Sequence, residues 1–187
     1  MLTARTLAEA HVYASVMAAA DATPPDATVE SPTAAANLVE GPEAWTLTAG
    51  DVVVEIPYLS EQAARQVGAR FGLGVSQLVD AGQWILVATT YARRALEADL
   101  AYTGEGPVQD RRRVELNWEF AADAVAEAVK FVPEDADEVP DEAVWSELGL
   151  QARRETPEQF TRAKLLDDLG YYRGTLDDFR ALYGPSA

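Results

Sequence analysis

The sequence predicts an α+β fold: a small antiparallel β-meander after one N-terminal helix, followed by a mostly helical C-terminal two-thirds. β-Branched and alternating residues concentrate between residues 36 and 58, whereas apolar residues recur at helical spacing before and after that stretch. A chain of 187 residues is long enough to bury one core. We therefore expect a single domain over residues 1–187, with a helix and an acidic meander in 1–60 and a helical part in 61–187.

The N-terminal segment predicts a helix over residues 4–20. Thr6 is followed three residues later by Glu9, which is the spacing of a capping box, and apolar residues then recur at intervals of three and four. The segment Asp21–Ser31 contains a Pro-Pro pair and predicts a loop.

The meander is predicted from three short runs. Trp45–Thr48 and Asp51–Ile56 alternate or are β-branched, and Gly50 between them suits a hairpin turn. Asn37–Val39 is the third strand, and Thr28–Glu30 is a candidate for a further strand at the edge.

The remaining chain predicts helices separated by glycine and proline. The one that follows Asp80 has a capping-box spacing with Gln83, and the next carries an apolar stripe through Val114, Trp118 and Val125. The predicted spans are Ser60 to about Phe71, Asp80 to about Tyr102, about 110–131, Asp141 to about Arg154, Thr156 to a break at Gly174, and a short last helix capped by Thr175.

Charge is the most unusual property of the chain. It carries 31 acidic and 15 basic residues, for a net charge of −16, and residues 6–64 contain nine carboxylates but no lysine or arginine. Binding to nucleic acid or to anionic membranes requires clustered cations, so we expect neither. With no cysteine and one histidine, neither a thiolate metal site nor a multi-histidine site can form within the chain, and we expect no cofactor.

No apolar run approaches the roughly 20 residues that span a bilayer. Glu9 and His11 stand where a signal peptide would need an apolar core, so we expect the protein in the cytoplasm.

Several motifs have both a functional and a structural interpretation. Arg111–Arg113 could grip a phosphate or a carboxylate, or could pair within the chain with Asp110 and Glu115. The stretch Glu134–Glu142 has six carboxylates but no glycine for a calcium loop, which leaves a solvated acidic loop or a patch for a basic protein. His11 has no neighbouring catalytic partner and is interpreted as a structural or surface histidine.

Several segments resemble a group of uncharacterised actinobacterial proteins. They are Thr6–Tyr13, Leu78–Ala88, Tyr91–Arg93 and Val129–Glu147, and Ile56-Pro57 matches the end of a strand in that group. The resemblance implies an immunity protein from a toxin-rich genomic neighbourhood. It also implies a Cys-rich segment after the first helix, but residues 18–48 here contain no cysteine, so a zinc ribbon is not carried over.

Together these features predict a non-enzymatic acidic binding protein, an immunity protein that occludes the cationic site of a cognate bacterial toxin. The partner-binding residues are predicted in the meander and in the acidic loop: Glu40, Glu43, Trp45, Asp51, Glu55, Glu134, Asp135, Asp137 and Glu138. One alternative is a small-molecule enzyme or sensor with a pocket between the meander and the helices. Another is a scaffold whose charge serves only solubility.

Overall fold

The structure, a computed structural model, describes residues 1–21 and 36–184. The loop predicted after the first helix and the candidate strand Thr28–Glu30 lie outside these ranges. The described strands are β1 (Leu2–Thr3), β2 (Asn37–Glu40), β3 (Ala44–Ala49) and β4 (Val52–Pro57). The described α-helices are α1 (Leu7–Asp21), α2 (Tyr58–Gln66), α3 (Ala81–Ala101), α4 (Val108–Val129), α5 (Glu147–Glu155) and α6 (Arg162–Tyr183), with short 3₁₀ helices at Asp141–Ala143 and Pro157–Phe160.

The α+β prediction is confirmed, and the sheet has one strand more than the predicted meander. β2, β3 and β4 are antiparallel neighbours, as expected, and β1 adds to the far side of β4 in parallel, giving the order β1-β4-β3-β2. The helix predicted from residue 4 begins only at Leu7, because the residues before it pair with the sheet: Leu2 and Thr3 form β1, and the N–H of Ala4 donates to the C=O of Glu55 at 2.9 Å.

Helix α3 begins as the sequence predicts. Asp80 accepts a hydrogen bond from the N–H of Gln83, and the Gln83 side chain accepts one from the N–H of Asp80, so the capping box is complete. Helix α2 differs from its prediction. It starts at Tyr58, directly after β4, and ends at Gln66, while the Ser60 hydroxyl donates back to the C=O of Pro57 instead of capping.

The C-terminal helices also differ from prediction. The helix predicted from Asp141 is a 3₁₀ turn followed by α5, which Ser146 caps. Gly174 was predicted to break a helix, yet α6 runs through it without interruption. The physical reason is packing, because Leu176 and Phe179, beyond that glycine, are buried in a cluster with Trp118 of α4.

The main core joins the sheet to the helices. Leu47, Val54 and Ile56 project from the sheet into a cluster that also contains Trp84 of α3 and Val125 of α4. Residues of both predicted parts of the chain therefore share one core, and the meander is held by this packing without any disulfide.

Candidate protein-binding surface

Three of the four meander carboxylates predicted to bind a partner lie on the rim of the sheet, and the fourth, Glu55, lies on the inner strand β4. Glu40 at the end of β2, Glu43 in the β2–β3 turn and Asp51 in the β3–β4 turn are exposed, and Glu55 of β4 is partly buried. None of the four forms an ion pair or a side-chain hydrogen bond with another described residue. Their charge is therefore not neutralised by any residue in the part of the chain that the structure describes.

The strand register separates these carboxylates. Glu40 lies opposite Trp45 in one row of the sheet, whereas Glu55 lies opposite Thr46 in the next row, so the two side chains project from opposite faces. Asp51 follows the other end of β3, which is about 14 Å from Trp45 at about 3.4 Å per residue. The acidic rim of the sheet therefore consists of Glu40 and Glu43 at one end and Asp51 at the other.

The end of the rim that carries Glu43 is held in place by Tyr58. The Tyr58 hydroxyl donates to the C=O of Gly41 at 2.7 Å, and the Tyr58 N–H donates to the C=O of Glu43 at 3.0 Å. Trp45 is partly buried, packs against the main core and meets Tyr58 edge to face with 4.6 Å between ring centroids. These contacts fix the backbone that presents the acidic side chains, which lowers the entropy lost when a partner binds.

The second acidic segment is an exposed loop with a fixed backbone. Its four predicted binding residues, Glu134, Asp135, Asp137 and Glu138, are all exposed, and none is ion-paired with a described residue. Arg162 holds the loop by donating to the C=O groups of Pro133 and Ala136, the latter at 2.9 Å. These four carboxylates are solvated, whereas Asp141 in the same acidic segment contacts Arg153 at 3.2 Å. Binding of the loop to a basic partner stays a prediction.

The described cations, in contrast, are largely paired inside the protein. Arg111 contacts Glu115 at 3.3 Å and donates to the C=O of Tyr183, and Arg113 contacts Asp110 at 3.5 Å, as the structural interpretation of that cluster predicts. Further ion pairs within the chain join Arg65 with Glu61, Arg70 with Glu119 and Asp123, Arg153 with Asp141, Arg154 with Glu147, Lys164 with Asp168, and Arg180 with Glu115 and Glu119. Internal pairing of the cations leaves the rim and the loop uncompensated, as it also leaves Asp167, Asp177 and Asp178 of α6.

The most buried of these networks centres on Arg5. Its guanidinium contacts Glu9 at 2.6 Å and Glu127 at 2.9 Å, and Lys130 also contacts Glu127 at 2.5 Å. Burial by itself lowers the pKa of Arg5, but the hydrogen bonds and charges of the two carboxylates outweigh it and leave that pKa raised. The network ties the N-terminus of α1 to α4, and sequence reasoning missed it because its members are far apart in the chain.

Asp80 is a second buried carboxylate with a structural role that the sequence shows only in part. Asp80 is fully buried, and its Oδ1 caps α3 by accepting a hydrogen bond from the N–H of Gln83 at 2.8 Å. Its Oδ2 accepts hydrogen bonds from the N–H groups of Trp145 (3.0 Å) and Ser146 (2.6 Å). One carboxylate therefore satisfies backbone donors where α3 and α5 both begin.

Three clefts among the described residues are formed by helices and loops. They have volumes of about 420, 390 and 190 Å³, and no strand residue lines any of them. The polar groups of the second cleft, which include Glu61, Arg65, Arg70 and Asp123, already pair with one another or with α4. None of these clefts is the pocket between meander and helices that the small-molecule alternative requires.

Further observations bear on the class of protein. Among the described residues, no helix combines the length and the apolar composition that crossing a membrane requires. Within the same residues, His, Asp and Glu side chains nowhere gather in a group of three or more that could hold a metal ion. Comparison with family models, with curated proteins and with solved structures gives no match for this chain.

Proposed function

We propose that this chain is a non-catalytic binding protein that recognises a basic protein partner through the acidic rim of its sheet. The observation that carries the proposal is the contrast between unpaired carboxylates on the rim and internally paired cations elsewhere. A surface of one sign attracts a partner of the opposite sign and raises the association rate most strongly. Bound at the rim, the carboxylates would occupy the positions of an anionic substrate in the partner's cationic site.

The concrete form of the proposal is an immunity protein that acts in the cytoplasm and neutralises a cognate bacterial toxin. This form rests on the resemblance of Thr6–Tyr13 and Val129–Glu147 to immunity-like actinobacterial proteins. The acidic loop at Glu134–Glu138 is the second candidate surface, since its carboxylates are exposed on a fixed backbone.

Two variants with equal net charge test the proposal. The rim variant combines Glu40→Gln, Glu43→Gln and Asp51→Asn. The control variant combines Asp167→Asn, Asp177→Asn and Asp178→Asn, three exposed carboxylates of α6 that form no ion pair with a described residue. Each immobilised protein is exposed to a lysate of the native host, and captured proteins are identified by mass spectrometry.

We expect the wild type and the control variant to capture the same basic protein and the rim variant to lose it. Expressed alone, the captured protein should arrest growth, and co-expression of the chain should restore it. Equal capture by all three would contradict the rim as the binding surface and would favour a charge that serves solubility. A captured protein that is harmless when expressed alone would contradict the immunity form and leave the binding role standing.

A further inference from the structure

Strand β2 is an edge of the sheet with no further strand beside it among the described residues, and its register shows which backbone groups face outward. The N–H of Gly41 donates to the C=O of Ala44 at 2.9 Å, and in an antiparallel pair every second residue bonds across the same strand pair. Val39 and Asn37 therefore direct their N–H and C=O groups toward β3. Leu38 and Glu40 direct theirs away from the sheet, and no other described residue bonds to them.

The side chains beside this edge are accessible. All four residues of β2 are exposed, including the apolar Leu38 (42% exposed) and Val39 (51% exposed). Leu38 shares a face of the sheet with Leu47, and Val39 shares the other face with Thr46. A strand added beside β2 would extend both rows and bury apolar area on each face of the edge.

The charged side chains around this edge are carboxylates. A charged side chain on an edge strand opposes pairing with a strand of like charge. Here no lysine or arginine occurs from residue 6 to residue 64, and Glu40 and Glu43 stand unpaired among the described residues at the end of β2. A second copy of the chain would bring these carboxylates against like charges, whereas a cationic strand would meet complementary ones.

We propose that the partner adds an extended cationic segment to the free edge of β2, pairing with the outward-facing N–H and C=O groups of Leu38 and Glu40. This inference rests on the proposed function and specifies its binding mode as strand addition. Backbone hydrogen bonds and apolar contacts with Leu38 and Val39 would then hold the segment, while the carboxylates would select its positive charge.

Synthetic peptides test this binding mode with the intact protein. The probe is an eight-residue peptide of alternating lysine and valine. Two control peptides have the same sequence, one N-methylated at its odd-numbered residues and the other at its even-numbered residues. N-methylation keeps the charge and the side chains but removes the N–H groups that pair with a neighbouring strand. Binding is measured by fluorescence anisotropy, and amide hydrogen exchange is followed at Leu38 and Glu40.

We expect the probe to bind, one N-methylated frame to bind about tenfold more weakly, and the amides of Leu38 and Glu40 to become protected only when the probe is present. On the protein side, Leu38→Pro removes one outward N–H without touching the β3 pairing, so it should weaken binding by about fivefold to tenfold. Leu38→Ala, which keeps that N–H, should change binding by less than about threefold, since it removes only part of the side-chain contact.

Each other outcome overturns the inference in a distinguishable way. If N-methylation and Leu38→Pro have no effect but the rim variant loses the probe, strand addition is wrong and the acidic rim stands as the binding surface. If the rim variant also binds normally, both proposals fail. If Leu38 and Glu40 are already protected without the probe, the chain itself or a second copy occupies the edge, and partner addition is excluded. N-methylation keeps the protein unchanged, so the test does not depend on the folding of Leu38→Pro.

Discussion

Asp80 offers the sharpest test of how the helical part is held together. Its carboxylate is fully buried and accepts three backbone N–H groups, from Gln83, Trp145 and Ser146. The substitution Asp80→Ala removes all three hydrogen bonds at the joint start of α3 and α5. Space around the carboxylate is tight, because a Cβ added at Gly149 would lie 2.6 Å from an Asp80 oxygen.

The expected loss of stability follows from these contacts. Removing an N-cap costs about 1 kcal/mol. Leaving each of the other two buried N–H groups without an acceptor costs about 1–3 kcal/mol. Allowing for partial relaxation, we expect Asp80→Ala to lower the free energy of unfolding by about 3–5 kcal/mol, a large part of the roughly 5–15 kcal/mol typical of a domain.

Urea unfolding followed by far-ultraviolet circular dichroism measures this change. The matched control is Asp110→Ala, which removes an acid from the first turn of α4 that is 47% exposed and contacts Arg113 at only 3.5 Å. The control should cost less than about 1 kcal/mol. Amide exchange at Trp145 and Ser146 should accelerate in Asp80→Ala alone. If Asp80→Ala costs no more than the control, the assignment of a double capping role is wrong.

Three further predictions follow from the same contacts. Arg5→Ala leaves buried carboxylates without their main cation and should cost about 3–5 kcal/mol in urea unfolding; a cost below about 1 kcal/mol would contradict the network. Gly82→Ala places a Cβ 2.5 Å from the Cα of Gly149 and should lower the free energy of unfolding by about 1–3 kcal/mol. In α6, a Cβ at Gly170 meets no atom within 4 Å, so Gly170→Ala should raise the free energy of unfolding by about 0.5–1 kcal/mol; equal shifts of the melting temperature in the two variants would refute this. Burial lowers the pKa of His11 from 6.5, so the unfolded chain binds its proton more readily and stability falls as pH drops through about 6.5; His11→Gln should reduce this fall, and identical pH profiles would contradict it.

The parts of the fold that the sequence predicts are those with local causes. The Asp80–Gln83 box lies within four residues, and the buried stripe of α4 through Val114 and Trp118 needs only helical spacing. The hairpin at Gly50 is likewise local, since that residue has a positive φ of 58° that glycine adopts without strain.

The parts that sequence reasoning missed depend on residues distant in the chain. β1 has only two residues and exists because it pairs with β4, and α6 continues through Gly174 because the residues beyond it pack on α4. The pairing of Arg5 with Glu127 joins residues 122 positions apart. The candidate surface shows the same division, because the acidic stretch is visible in the sequence, whereas the register that splits Glu40 from Glu55 is not.

The central claim is that rim carboxylates steer a basic partner to this chain, and the association rate constant tests it most directly. It is measured by stopped-flow mixing with the captured partner from about 20 to 500 mM salt, for the wild type, the rim variant and the α6 control. The account predicts a rate that falls steeply with salt for the wild type and the control, and a slower, flatter rate for the rim variant. A wild-type rate that is unchanged between low and high salt would contradict it.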